Sequence, residues 1–178
     1  MSQQIPLTKG QFTLVDDADF EWLTQWRWRL NSKGYVIRSY RNNGKEIVVA
    51  MHRAIMQPSP NFVVDHIDHN RINNTRPNLR LLTQQQNLMN RRLFRNNTTG
   101  FKGVTYRDGR WRAHLEKDGI DLHLGYHADI KTAALVYDHA AVLLFGADIV
   151  WRNLPLETIP SEIDALVRVY LRKAQFLP

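Results

Sequence analysis

The chain has 178 residues, 43% of them hydrophobic and 10% aromatic, which is enough large side chains to build real cores and argues against wholesale disorder. It contains no Cys, so a disulfide framework and a thiolate zinc site are both excluded, and any metal must be held by His, carboxylate or amide oxygen. The formal net charge of +7 points to an anionic partner. No apolar run opens the chain and none reaches about 18 residues, so neither a signal peptide nor a membrane span is expected and the sequence reads as cytoplasmic.

In chain order, Phe12 to Val15 reads as a strand, and a helix should begin after the Asp16-Asp17 pair. Three strand-like runs follow, Trp26 to Leu30, Tyr35 to Arg41 and Glu46 to Met51, divided by the turn signals Ser32-Lys33-Gly34 and Asn42-Asn43-Gly44. Residues 1–60 thus form a small sheet-rich lobe, with Trp22, Trp26 and Trp28 as packing residues. Residues 61–92 change to strand, loop, strand and helix: FVVDHI, DHNRINNTRPN, LRLLT, then TQQQNLMNRR, with Thr83 and Gln86 set for a capping box. Residues 93–99 are polar and basic and read as a linker.

Residues 100–155 open with strands at Gly103 to Arg107, Arg110 to Glu116 and Asp121 to Gly125, joined through the hairpin dipeptides Asp108-Gly109 and Asp118-Gly119. A helix capped by Asp129 and stopped by Gly146 carries Ile130, Ala133, Ala134, Tyr137, Ala141 and Leu144 on one stripe. The tail, 156–178, holds a last helix entered through Pro160 with a capping box from Ser161 to Asp164, and its stripe of Ile163, Leu166, Val167, Tyr170 and Leu171 is expected to dock back on the protein. The fold class is α+β.

The basic residues are not spread evenly. Between Arg71 and Arg112 lie ten Lys or Arg (71, 76, 80, 91, 92, 95, 102, 107, 110 and 112) against one acid, Asp108, with Phe94, Phe101, Tyr106 and Trp111 among them. Such a stretch is the electrostatic footprint of nucleic-acid binding.

The segment VDHIDHNRINNTRPNLRLLTQQQN resembles the HNH nucleases, whose site is a hairpin and helix gripping one metal ion. His66 ends the first strand, Asn78 opens the second twelve residues later, and Asn87 lies nine further on in the helix. The resemblance implies Asp65 and Asn87 as ligands of Mg²⁺ or Mn²⁺, His66 as general base, and Asn78 as the residue that fixes the loop and holds His66 in place. The family's final His is Asn here, as in some homing-type members. The chemistry agrees: phosphodiester hydrolysis needs a deprotonated water and charge neutralisation at the phosphate, an imidazole with a pKa of about 6.5 accepts protons at pH 7, and oxygen donors suit hard cations. Side chains alternate along a strand, so a bend or twist at the strand end is required to bring Asp65 and His66 to one cleft. His52, in MHRAIM, is a candidate for phosphate contact or structural support, and Arg80 for contact with DNA phosphate.

The stretch from Gly103 to Pro155 is similar to the APETALA2/ethylene-response-factor domain: the opening GV, GRWRAHL, LGYH, the helix containing AALVYDHAAVLLFGADIV, and the closing NLP fall in order. That resemblance implies a three-stranded sheet packed on a helix and reading the DNA major groove. Alternation turns Trp111, Ala113 and Leu115 to the helix, and Lys102, Thr105, Arg107, Arg110, Arg112, His114, Glu116 and His123 become the DNA-facing candidates.

Together these features predict a site-specific endonuclease on double-stranded DNA, of homing or mobile-element type and bacterial or phage-encoded, as monomer or homodimer. A non-catalytic DNA-binding protein and an RNA-processing nuclease are the competing readings.

Overall fold

In the computed structural model, which describes residues 1–178, the chain is a mixed α+β protein with four small sheets and five α-helices, and it divides into two units, Met1–Gln84 and Gln85–Pro178.

In the first unit the antiparallel pair β1 (Ser2–Pro6) and β2 (Phe12–Asp16) leads into α1 (Asp17–Thr24). A sheet of order β3-β4-β5 follows, from β3 (Arg29–Leu30), β4 (Val36–Asn42) and β5 (Lys45–Ala50). Asn43 and Gly44 close its hairpin with φ of 48° and 76°, the left-handed pair that a tight two-residue turn demands. Then come α2 (Met51–Met56) and the hairpin β6 (Phe62–His66) and β7 (Leu79–Thr83).

One core serves this whole unit. Ile5, Leu7, Val15, Leu23, Trp28, Val36, Met51 and Ile55 pack with Leu79 of β7, and Val64 and Ile72 of the hairpin lie against them. The sheet-rich lobe and the hairpin are therefore not independently packed: neither buries enough apolar surface without the other. Trp28 is buried and donates to the Leu23 carbonyl at 2.8 Å, whereas Trp26 stays partly exposed. The loop between β6 and β7 is tied to α1 by Arg76, whose Nε and Nη2 donate to the buried Asp19 carboxylate at 2.7 and 2.8 Å.

The second unit begins with α3 (Gln84–Asn90), then the sheet of order β10-β9-β8, from β8 (Val104–Arg107), β9 (Arg110–Lys117) and β10 (Ile120–His127), then α4 (Ile130–Phe145) and α5 (Ser161–Lys173). Both Asp-Gly dipeptides form the tight turns read from them, with Asp108, Gly109, Asp118 and Gly119 all at positive φ. Asp129 caps α4 by accepting from Thr132 N at 2.8 Å, and Gly146 ends it at φ 96°. Val104, Ala113, Leu115, Leu122 and Leu124 of the sheet meet Ala133, Ala134, Tyr137, Ala140 and Ala141 of α4, while Ile163, Val167 and Leu171 of α5 complete the same core. Helix α4 is thus covered on two sides, which is why Val136 and Phe145, off the predicted stripe, are also buried.

Several sequence expectations are corrected. β1 and α2 were not foreseen: the polar Ser-Gln-Gln start gives no alternation, and MHRAIM is too short for a helical period. The run Trp26 to Leu30 pairs only at Arg29–Leu30. Helix α5 has no capping box, because Pro160 takes the N-cap position and Asp164 instead engages His139 and Arg168 at 2.7 and 2.9 Å. Lys102, expected to face DNA, is turned inward. Its Nζ donates to the carbonyls of Leu88, Met89 and Arg91 at the end of α3, at 2.8, 2.8 and 3.3 Å. Burial lowers its pKa to about 8, and the nearby Arg91 charge acts in the same direction. With Met89 in the core and Trp151 N donating to the Met89 carbonyl at 3.1 Å, α3 is mounted on the second unit.

A Cβ at Gly103, which stands at φ +68°, would run into the Tyr137 ring and lie 2.8 Å from the His114 carbonyl. Gly103→Ala should therefore lower stability by about 3 kcal/mol in urea unfolding, whereas Gly109→Ala, whose Cβ meets nothing within 4 Å, should cost only the strain of its φ, about 1 kcal/mol.

Candidate active site

The loop from Ile67 to Asn78 is rich in Asn because its backbone makes few ladder bonds and must find side-chain partners. Asn78 is the hub expected of it. Its Nδ2 donates to Asp68 Oδ1 and to the Asn73 carbonyl, both at 2.8 Å, and its Oδ1 accepts from Asp68 N at 3.0 Å.

Holding His66 falls to a different residue, Asn74. Its side chain is wholly buried, its Nδ2 donates to Thr13 Oγ1 at 2.9 Å and to the Arg71 carbonyl at 3.4 Å, and its Oδ1 lies 3.3 Å from His66 Nε2. The direction of this chain is forced. Thr13 Oγ1 gives its only proton to the Ile72 carbonyl at 2.7 Å, so it must accept from Asn74, whose oxygen then faces His66. Nε2 of His66 accordingly carries the proton, and Nδ1 holds the lone pair that a general base uses.

His66 is 4% exposed and packs against His52 at 5.2 Å between ring centroids, with Tyr35 5.2 Å from His52 and 6.1 Å from His66. The Arg71 guanidinium caps Tyr35 at 4.6 Å. Burial pushes His52 down to about 4, with the charges of His66 and Arg53 adding to it, and Nδ1 of His52 is buried without a hydrogen-bond partner. Burial likewise holds His66 below the ordinary imidazole value, against the opposing influence of the Asn74 bond and of Asp65 and Asp68. Both rings are neutral at pH 7, the form in which an imidazole accepts a proton.

Asp65 and Arg80 face each other across the hairpin, and Arg80 Nε donates to Asp65 Oδ2 at 2.9 Å between largely buried side chains. Arg80, expected from sequence to contact DNA phosphate, is engaged through Nε with this carboxylate. β6 and β7 keep regular register through His66 and Leu79, and Ile67 N continues the pairing by donating to the Asn78 carbonyl at 2.9 Å. Asp65 lies beside Arg80, and His66 lies among His52, Tyr35 and Asn74. Asp65, His66, Asn78 and His52 all belong to the unit Met1–Gln84, while Asn87 stands on α3 in the unit Gln85–Pro178. No three His, Cys, Asp or Glu side chains gather as a metal cluster. The exposed His69, at φ 60°, is a loop residue.

On the sheet of the second unit, register places Thr105 opposite Arg112, Arg107 opposite Arg110, and His114 opposite His123, with Glu116 opposite Asp121. Thr105, Arg107, Arg110, Glu116 and His123 are exposed, and Arg112 and His114 half-buried, while Ala113 and Leu115 are turned to the core. Asp121 was missed as a member of this face, although the two-residue Asp118-Gly119 turn fixes the register that puts it there.

A family model for HNH endonucleases matches residues 50–89. The chain is 32% identical over 141 residues to an uncharacterized HNH endonuclease, L560, of Acanthamoeba polyphaga mimivirus, covering 78% of this chain and 73% of that protein. It is 35% identical over 78 residues to protein 3.8 of Escherichia phage T7, covering 43% of this chain and 64% of the phage protein. No solved structure matches. No helix is long and apolar enough to cross a membrane.

The His52 shift has a defined pH signature. An unfolded His takes a proton near 6.5, whereas folded His52 refuses it until about 4, so its contribution vanishes above 6.5 and destabilises progressively as pH falls between those values, by at most about 3 kcal/mol. Urea midpoints measured from pH 7 to 4.5 should fall, and His52→Gln should flatten that fall. An unchanged slope in the variant would refute the assignment.

Proposed function

The chain belongs to the HNH endonuclease family, and on that premise we propose that it is a site-specific endonuclease hydrolysing phosphodiester bonds of double-stranded DNA, with His66 as general base. The observation that carries the reading is the buried His66, fixed by Asn74 as the tautomer with a basic Nδ1.

Nδ1 of His66 removes a proton from water as its oxygen bonds to phosphorus. The bond to the 3′ oxygen breaks, leaving a 5′ phosphate and a 3′ hydroxyl that is protonated from solvent. His52 and Tyr35 pack against the ring, exclude water from that side and keep it uncharged before the reaction. Asn74 stabilises the imidazolium by continuing to accept from Nε2.

A divalent ion is implied by the family. The donors that the resemblance implies for it, the Asp65 carboxylate and the Asn87 amide oxygen, are each hard oxygens of the kind Mg²⁺ or Mn²⁺ takes. Such an ion would supply neutralisation of phosphate charge and stabilisation of the leaving oxygen. Arg80 orients the Asp65 carboxylate on β6.

The β8-β9-β10 sheet, in the APETALA2-like reading, supplies site choice by entering the major groove with the face bearing Thr105, Arg107, Arg110, Arg112, His114, Glu116 and His123. The relatives from a mimivirus and a phage support a virus- or phage-encoded protein, and the homing or mobile-element type rests on the resemblance, through the Asn at position 87. One metal site per chain makes a monomer a nicking enzyme and a symmetric dimer a double-strand cutter.

Supercoiled plasmid incubated with Mg²⁺ or Mn²⁺ should relax or linearise, and His66→Ala should slow this by at least about 100-fold. Asp65→Asn should raise the metal concentration needed. Absence of metal-dependent cutting by the wild type, with duplex binding intact, would replace the nuclease with a non-catalytic DNA-binding protein.

A further inference from the structure

We propose that Arg112 is a guanine-reading side chain of this sheet, held ready for the base edge by Asp121 and His123. The inference rests on the reading of the β8-β9-β10 face as the DNA-binding surface and adds which side chain discriminates.

Strand β9 is the central strand of the sheet, and Arg112 sits in its middle, between Thr105 of β8 and Tyr126 of β10. Its Nη2 donates to Asp121 Oδ2 at 2.7 Å and its Nε to His123 Nδ1 at 3.3 Å. Those two bonds occupy one edge of the planar guanidinium. Its outer edge, made by Nη1 and the second hydrogen of Nη2, is left as two parallel donors, and the O6 and N7 acceptors of guanine in the major groove match that pair. The buttress is itself fixed. His114 Nδ1 lies 3.5 Å from the other Asp121 oxygen, and the His123 ring packs edge-on against Tyr126 at 4.9 Å between centroids. A side chain ordered before binding loses little rotamer freedom on contact, which sharpens discrimination.

The same fork could grip a phosphate, and charge decides between the two. Asp121 is half-exposed beside the fork and Glu116 stands directly across the strand pair, so an incoming phosphate would meet two carboxylates. A guanine edge carries no formal charge and meets no such repulsion. Arg107 and Arg110, exposed at the hairpin end, face no carboxylate across the strand pair, and the one ion pair there, Arg107 with Asp108 at 3.5 Å, lies open to solvent and is easily exchanged, so these two are the better phosphate contacts.

The test is selection of binding sites from randomised duplex DNA by the full chain in EDTA, so that no cutting intervenes, followed by titration of the selected site and of single-base variants. Wild type should prefer guanine at one position by roughly 5- to 150-fold. Arg112→Ala should abolish the preference at that position and leave the rest of the site. Asp121→Asn, nearly isosteric and retaining an acceptor, should weaken the same preference while affinity for mixed-sequence duplex holds or rises, because a negative charge has left the face. Far-UV circular dichroism of both variants checks the fold. If Arg112→Ala instead weakens all sequences equally and lowers the salt slope by about one, the residue contacts phosphate and the proposal is overturned. An unchanged base preference in Asp121→Asn overturns the buttress. A wild type that binds duplex with no base preference anywhere overturns the DNA-reading role of the sheet itself, a result separable from both.

Discussion

The unit Met1–Gln84 turns on the buried amide of Asn74, the one side chain that touches β2, its own loop and His66 together. A buried donor or acceptor left unpaired costs about 1–3 kcal/mol, and this position has to satisfy a Thr hydroxyl, a loop carbonyl and an imidazole nitrogen at once. Only a carboxamide offers two donors and an acceptor in one plane. Aspartate would leave Thr13 and the Arg71 carbonyl facing an acceptor, and leucine would leave the Arg71 carbonyl and His66 Nε2 without this partner and Thr13 Oγ1 with only its bond to the Ile72 carbonyl. The same bond that closes the loop onto β2 also selects the His66 tautomer, so structural integrity and proton affinity are set by a single contact.

That coupling explains the crowding around His66. An imidazole in water is a competent base near neutrality without help, so burial beneath His52 and Tyr35 is not needed for basicity; it in fact lowers the affinity for a proton. What burial provides is orientation, because a ring packed on one face and hydrogen-bonded at Nε2 cannot rotate away from the direction in which Nδ1 points. The lowered proton affinity also keeps the ring in its accepting form over a wider pH range, an arrangement suited to an enzyme that must be ready before its substrate arrives.

What could be read from sequence was whatever depends on neighbours along the chain. The Asp108-Gly109 and Asp118-Gly119 turns, the Asp129 cap, the Gly146 stop and the His66, Asn78 and Asn87 spacing are all local, and turns and caps form where their residue types demand. Partnerships across strands and between elements were not legible. Asp65 meets Arg80 because β6 and β7 pair in a particular register, Lys102 reaches the end of α3 through tertiary packing, and Asn74 replaces Asn78 at His66 because β2 passes beneath the loop. Of three loop asparagines with the same turn preference, no sequence rule distinguishes the one that faces a histidine.

The fate of the basic window follows from the same distinction. Ten positive residues between Arg71 and Arg112 promised a dense phosphate-binding stretch, yet Arg76 is engaged with Asp19, Arg80 with Asp65, Lys102 with three carbonyls and Arg112 with Asp121. An arginine already neutralised by a carboxylate releases few counterions when DNA arrives, so the salt dependence of binding should reflect the exposed Arg110, and Arg107 whose pair with Asp108 is open to solvent, not the full count. Arg76, Arg80 and Lys102 do other work: they fix a loop, orient a carboxylate and mount α3, while Arg112 is held in place on the sheet face. A high local charge in a small nuclease therefore divides between scaffold and substrate, and the division is set by which carboxylates and carbonyls the fold brings opposite each cation.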